Sequence, residues 1–187
     1  MPQQILEIPS CRFFPHWKNN CTDQLIGLME MVNHIIRNNP LCYHWIEIGS
    51  YIGESSSIFL GFDMIKKLEC IEANTNYANI LKIKYEQYIQ TGRCLIHNTK
   101  SISFAPLIYD QSVDVVYIDA DHSYESVKEE LDLYFPKIRY GGFICGHDYN
   151  KFAWPGVCSA VDEFRSTNKV GSLFKFRDCS WLLQKLI

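Results

Sequence analysis

The stretch VDVVYIDADHSYESV, residues 113–127, carries the reading of the fold. Val113, Val115, Val116, Tyr117 and Ile118 make a run of apolar and β-branched residues with hardly a polar interruption, as in a strand covered on both faces. The run ends in Asp119, Asp121 and His122. Val127, Leu131 and Tyr134 then recur at helical spacing, which predicts a helix over residues 123–135. A core strand that leads straight into ionisable groups and then a helix is the floor of a site.

The same alternation extends in both directions. Strands are expected in YHWIEIG, KLECIEA, RCLIHN and, after the Gly141-Gly142 turn, FICGHD. Helices are expected through SSSIFLGF, over residues 75–88 and over residues 157–164. Upstream, Leu25, Leu28, Met29, Val32, Ile35 and Ile36 form a helical stripe capped by Thr22 or Asp23 and stopped by Asn38-Asn39-Pro40. Downstream, SLFKF and SWLLQKL pair as an antiparallel hairpin at the sheet edge. Alternating strands and helices predict an α/β fold, a doubly wound, mostly parallel Rossmann-like sheet with that C-terminal hairpin. The 187 residues read as one domain, a helical segment over 1–40 and a core over 41–187.

Composition narrows the function classes. Lys+Arg of 18 against Asp+Glu of 21 gives a net charge of −3 with no run of like charge, so nucleic acid is a poor partner. No segment reaches the ~18 uninterrupted apolar residues of a membrane span. The eight cysteines, at 11, 21, 42, 70, 94, 145, 158 and 179, show no CxxC pair, and MPQQILEIPS lacks the features of a secretory signal. Reduced thiols in a soluble, cytoplasmic protein are expected. A homo-oligomer is compatible with all of this.

Ligands of such a sheet bind beyond the carboxyl ends of the strands. After the first strand comes Glu47-Ile-Gly49-Ser50-Tyr-Ile-Gly53, whose glycines permit a tight turn and bring backbone N–H groups close to a ligand. Its spacing is neither G-x-G-x-x-G nor a P-loop. Glu72 ends the second strand, about twenty residues on, where an acid accepts hydrogen bonds from both ribose hydroxyls. Loop and acid together imply a nucleoside-bearing cofactor. The fourth and fifth strands end in DADH and GHDY.

IEIGSYIGESS, LECIEAN, VDVVYIDADHSYESV, YGGFICGHDY and GVCSAVDEF, in that order, resemble a small class I S-adenosylmethionine-dependent methyltransferase, most closely the branch of metal-assisted O-methyltransferases of sugars and natural products. The resemblance implies that S-adenosylmethionine binds at Glu47, Gly49, Ser50, Gly53, Glu72, Asn98 and Asp119, with Ser101 beside Asn98. It implies Mg²⁺ or Mn²⁺ at Asp119, His147 and Asp148, although His147 stands where the branch tends to have a second acid. Asp119 is also implied beside the reacting atoms, with Asp121 or His122 as the general base, and the acceptor is a hydroxyl of a small molecule such as a sugar or polyol. NTKSIS, after the third strand, lacks the acid that often contacts adenine. Bland readings stand beside these: Asp121 as a helix cap, His147 as a core histidine, Asp148 as a turn residue. Phe13, Phe14, His16 and Trp17 form a lid or a docking segment, and Trp154-Pro155-Gly156 a substrate-facing loop or a plain turn. Two other functions remain open, a cofactor-binding module without catalysis and a dinucleotide-dependent oxidoreductase, the latter disfavoured by the glycine spacing.

Overall fold

Apolar strands and amphipathic helices alternate along residues 21–186, the part of the chain that the computed structural model describes. In order these are α1 (Cys21–Asn38), β1 (His44–Ile48), α2 (Glu54–Leu60), β2 (Lys67–Ile71), α3 (Thr75–Lys84), α4 (Glu86–Gln90) and β3 (Cys94–His97). Then follow α5 (Ser101–Phe104), β4 (Val113–Ile118), α6 (Tyr124–Tyr134), β5 (Ile138–Gly146), α7 (Pro155–Thr167), β6 (Phe174–Lys175) and β7 (Trp181–Gln184). The calls on Phe13, Phe14, His16 and Trp17 lie outside the described residues. Among the described residues no helix is long and apolar enough to cross a membrane.

The seven strands form one sheet in the order β3-β2-β1-β4-β5-β7-β6. The first five are parallel, and β7 and β6 add the antiparallel hairpin at one edge. Strand alternation divides the core. Trp45, Leu68, Val115, Tyr117 and Phe143 pack under Leu25, Leu28, Met31, Val32 and Ile35 of α1. Ile46, Ile48, Val116, Ile118 and Ile144 pack under Val127, Leu131 and Tyr134 of α6 and Val157, Val161 and Phe164 of α7. The chain runs from β1 outward to β3 and returns to β4 on the other side of β1, so the order reverses between β1 and β4. That reversal opens a crevice at their carboxyl ends.

Four details differ from the sequence expectations. The helix expected over residues 75–88 is two helices, because Tyr85 leaves helical geometry (φ −108°, ψ 19°) and its hydroxyl reaches back to the Gly53 carbonyl. The Gly141-Gly142 turn lies inside β5, which already pairs through Ile138 with Val113 and resumes at Phe143 opposite Val115. Thr22 and Asp23 do not cap α1, since the helix is already running at Cys21. The cap of α6 is Ser123, whose hydroxyl accepts the Ser126 N–H at 3.3 Å.

One buried acid ties the parallel strands together. Glu69 of β2 accepts from His44 of β1 at 2.7 Å, from His97 of β3 at 2.7 Å and from Lys67 at 2.6 Å. Burial opposes its charge, but these hydrogen bonds outweigh burial and hold the carboxyl well below the usual carboxylate range. The depressed folded pKa means that Glu69 stabilises the fold above the unfolded carboxyl pKa of about 4.3, and that this contribution is lost as pH falls below that value. Glu69→Gln is expected to lower stability at pH 7 by about 1–3 kcal/mol and to flatten the acid limb of the stability profile. Urea titrations from pH 7 to pH 3 measure both effects, and an acid limb of unchanged slope would contradict the assignment.

Cys42, Cys70, Cys94, Cys145, Cys158 and Cys179 are unpaired, and all but Cys179 are buried. Burial pushes the Cys42 thiol up to about 12 and also raises Cys70 and Cys145. Of these six, Cys179 is expected to alkylate first in the native protein, whereas all eight cysteines of the chain alkylate in denaturant. Mass spectrometry reads both, and a loss of two sites in denaturant would indicate a bridge.

Candidate active site

Backbone bonds bring the strand ends together. Asp119 N–H donates to Ile48 O at 2.9 Å, Gly49 N–H to Ile71 O at 2.9 Å and His147 N–H to Ile118 O at 3.2 Å, so β1, β2, β4 and β5 end side by side. The loop after β1 turns through left-handed residues at Gly49 (φ 83°), Tyr51 (φ 48°) and Gly53 (φ 79°). A Cβ at Gly49 would collide with the Asp119 carbonyl, which is why this position is glycine. Gly53 O accepts from Lys84 Nζ at 2.7 Å and from the Tyr85 hydroxyl, which fixes the far end of the loop.

Glu47 works from beneath. It is fully buried on the α1 side of the sheet, and its two carboxylate oxygens accept from the Ser55 and Ser56 hydroxyls at the start of α2. Burial pushes its carboxyl up, and the hydroxyl bonds partly offset this. The sequence reading puts Glu47 in contact with a cofactor; the structure places it behind the loop, holding α2 to β1. Gly53 and Asn98 are also supports. Asn98 Nδ2 donates to Glu72 O at 2.9 Å and Ala73 O at 3.2 Å, which ties the loop after β2 to β3.

Two adjoining clefts open above these strand ends. The first, of about 490 Å³, is lined by Gly49, Ser50, Asp119, His122, His147 and Asp148, and Trp154 closes one wall. The second, of about 660 Å³, is lined by Glu72, Tyr77, Lys100, Ser101, Asp121 and Glu130. Gly49, Tyr51, Asp119 and Ala120 line both. Their volumes are those of small-molecule sites. Glu72 is held rigidly at the mouth of the second, accepting Tyr51 N–H at 2.8 Å on one oxygen and Asn74 N–H at 2.7 Å on the other. Each oxygen keeps a lone pair for a ligand hydroxyl.

Acids and imidazoles concentrate in the first cleft. His122 Nε2 lies 3.0 Å from Asp148 Oδ2 and 3.4 Å from Asp119 Oδ1, and one ligand atom from each of these three residues falls within 4.8 Å of the others. The hydrogen bond to Asp119 is the main reason that the His122 pKa is raised. The resemblance implies His147 in this trio, but His147 stands behind it. Its Nδ1 is 3.1 Å from Asp148 Oδ1 and its Nε2 is 3.7 Å from the buried Asp178. Burial opposes its charge, yet the Asp148 bond and the charges of Asp119, Asp148 and Asp178 lift it to about 9. Asp148 sits in left-handed backbone (φ 62°), which turns its side chain to face both histidines.

Asp121 goes the other way. It is exposed, it lines the second cleft, and its Oδ1 accepts Ser123 N–H at 2.8 Å, a bond that lowers its pKa. Of the two residues read as general base, only His122 faces the acid cluster. Trp154 stands 4.4 Å from the His122 ring, so the loop after β5 does face the site. Tyr51, Tyr77, Lys100 and Glu130 went unnoticed in the sequence. For Glu130 a signal existed: it falls three residues after Val127 and four before Tyr134, an acid on the apolar stripe of α6.

The clefts and their residues coincide with a known domain. The family model described as a methyltransferase domain matches residues 46–149, more than half of the chain. The protein R132 of Acanthamoeba polyphaga mimivirus is 25% identical over 159 residues, 80% of this chain and 71% of that one. Among solved structures, an O-methyltransferase from Bacillus cereus in complex with SAH matches at a TM-score of 0.69 and 14% identity, over 98% of this chain and 94% of that one. The O-methyltransferase TomG from Streptomyces achromogenes, involved in tomaymycin synthesis and solved in complex with SAM, matches at 0.65 and 14% identity, over 87% and 80%. With its glycine loop at the β1–β4 reversal and its acids on the flanking strand ends, the chain belongs to this methyltransferase domain family and has the fold of the class I S-adenosylmethionine-dependent methyltransferases.

Proposed function

We propose that the protein transfers the methyl group of S-adenosylmethionine to a hydroxyl oxygen of a small molecule, of which a sugar or polyol is the class suggested by the sequence. The carrying observation is that Asp119 lines both clefts. A cofactor whose ribose lies on Glu72 in the second cleft has its sulfonium end beside Asp119, facing the acids and imidazoles of the first. The residues fit such a ligand. Glu72 offers a preorganised carboxylate, and Gly49 brings backbone within reach without a side chain in the way.

The cofactor supplies an electrophilic methyl group and its own leaving group. The protein's task is to hold the hydroxyl in line and to weaken its O–H bond. Two carboxylates and an imidazole converging at Asp119, His122 and Asp148 suit a divalent cation of the Mg²⁺ or Mn²⁺ kind, and such an ion would lower the pKa of a coordinated hydroxyl. His147 would then orient Asp148 from behind. The 3.0 Å contact between His122 and Asp148 favours a second reading, in which His122 takes the proton directly and both acids orient its ring. Asp121, turned to the other cleft and engaged with Ser123, has no part in either.

The protein is expected to bind S-adenosylhomocysteine, and Glu72→Ala to weaken that binding by about 1.5–3 kcal/mol, the loss of charge-assisted hydrogen bonds. Titration calorimetry measures it, and an unchanged affinity would put the ribose elsewhere.

Methyl transfer, measured over a panel of sugars, polyols and phenols, is expected to stop on chelation and to return with Mg²⁺ or Mn²⁺. Asp119→Asn is expected to cut turnover far more than S-adenosylhomocysteine affinity. Full activity in excess chelator, together with a ~10²–10⁴-fold loss in His122→Gln, would instead establish His122 as the base acting without a metal.

A further inference from the structure

Trp154 is a wall of the first cleft to which the proposed chemistry gives no task. Its place is fixed on both sides. Asn150 folds the loop before it, accepting Phe152 N–H at 3.0 Å and Ala153 N–H at 3.2 Å on its side chain and Trp154 N–H at 2.8 Å on its carbonyl. After it, Gly156 packs so closely on α6 that a Cβ would lie 2.7 Å from Tyr124 N and 2.8 Å from His122 O. The indole is therefore set against the His122 ring at 4.4 Å, beside the acids, and yet 41% of the residue is exposed. Among the described residues nothing accepts its indole N–H, which leaves that donor to a ligand or to water.

Charge restricts what can lie against this wall. Among the described residues no Lys or Arg lines the first cleft, whereas Glu54, Asp119 and Asp148 do. Lys151, on the same loop, turns to Asp162 at 4.0 Å, and Lys175 lies over the Tyr149 ring. His122 and His147 are already held against Asp148. The two carboxylates that suit a divalent ion would balance its charge. A phosphate or carboxylate on the acceptor would thus lose its hydration beside acids without gaining a cation of its own.

A flat apolar face with one N–H donor at its edge and carboxylates opposite matches one kind of hydroxylated molecule. A pyranoside has a C–H face that covers an aromatic ring and a rim of hydroxyls, each of which needs a partner. A linear polyol has the hydroxyls and no fixed face. A phenol has the face and few hydroxyls. We infer that Trp154 is a specificity-determining residue for the acceptor: it stacks on the C–H face of a neutral pyranoside, and the cleft around it refuses acceptors that carry a phosphate, a carboxylate or a coenzyme A group. This rests on the proposed methyl transfer and narrows its acceptor.

The test is saturation-transfer NMR on the full chain loaded with S-adenosylhomocysteine and Mg²⁺. The probes are the methyl pyranosides of glucose, galactose and mannose, the same sugars carrying a phosphate, mannitol and catechol. At least one neutral pyranoside is expected to receive saturation, more strongly than mannitol or catechol, and its phosphorylated form to receive none. Trp154→Leu should weaken that binding by about tenfold, and Trp154→Phe, which keeps an aromatic face, by no more than about threefold. S-adenosylhomocysteine affinity, measured by calorimetry, should be unchanged in both, which a general loss of structure would not allow. The comparison among probes in the wild type stands even where the leucine variant does not fold. Binding of S-adenosylhomocysteine with no saturation of any pyranoside would overturn the inference alone, as would equal signals from the phosphorylated sugars, a preference for mannitol or catechol, or undiminished pyranoside binding in Trp154→Leu. Failure of the wild type to bind S-adenosylhomocysteine at all would overturn the methyl-transfer reading itself, and this inference with it.

Discussion

Gly49 packs so closely against the carbonyl of Asp119 that no side chain fits between them. This contact sits where the strand order reverses, and the site is built around it. It lets the ends of β1 and β4 run together, with Asp119 N–H bonded to Ile48 O at 2.9 Å, so that Asp119 lines both clefts. A wider spacing would separate the cofactor side from the acid cluster. In-line transfer between bound groups needs them within about 3–3.5 Å of each other, and a rigid backbone contact preserves such spacing better than mobile side chains do.

The residues proposed to touch ligands are each held in place by others. Glu47 anchors α2, so that the loop between β1 and α2 keeps its three left-handed residues. Tyr85 and Lys84 brace the end of that loop. Asn98 fixes the backbone of Glu72, and His147 with Asp178 backs Asp148. Glu47, Tyr85 and Asp178 among these supports are buried polar groups, stable only because each finds a partner. The interlocking makes the site stiff before any ligand arrives.

What the sequence revealed followed from local periodicity. Continuous apolar runs gave the strands, acids directly after them marked the site, and the hairpin at the C-terminus was visible as two short apolar segments. What it hid depended on contacts between distant residues. The break between α3 and α4 comes from Tyr85 reaching Gly53, thirty-two positions away. His122 and His147 carry equal weight in the sequence; only the pairing of β4 with β5 and the left-handed turn at Asp148 bring His122 into the trio and set His147 behind it. Glu47 matches the family motif, and the alternation of β1 sends its side chain under the loop instead of into the cleft. Glu130 went unread although it is an acid on an apolar stripe, and its unpaired oxygen emerges only once Ser101 and the cleft are placed around it.

The central claim is that one ligand spans the two clefts with its sulfur at Asp119. A crystal structure of the chain with S-adenosylhomocysteine tests this most directly. The account predicts the ribose hydroxyls on Glu72, the sulfur beside Asp119 at the junction, and the first cleft left to the acceptor. Adenosine lodged among Asp119, His122 and Asp148, or a ligand bound away from the β1–β4 crevice, would contradict it.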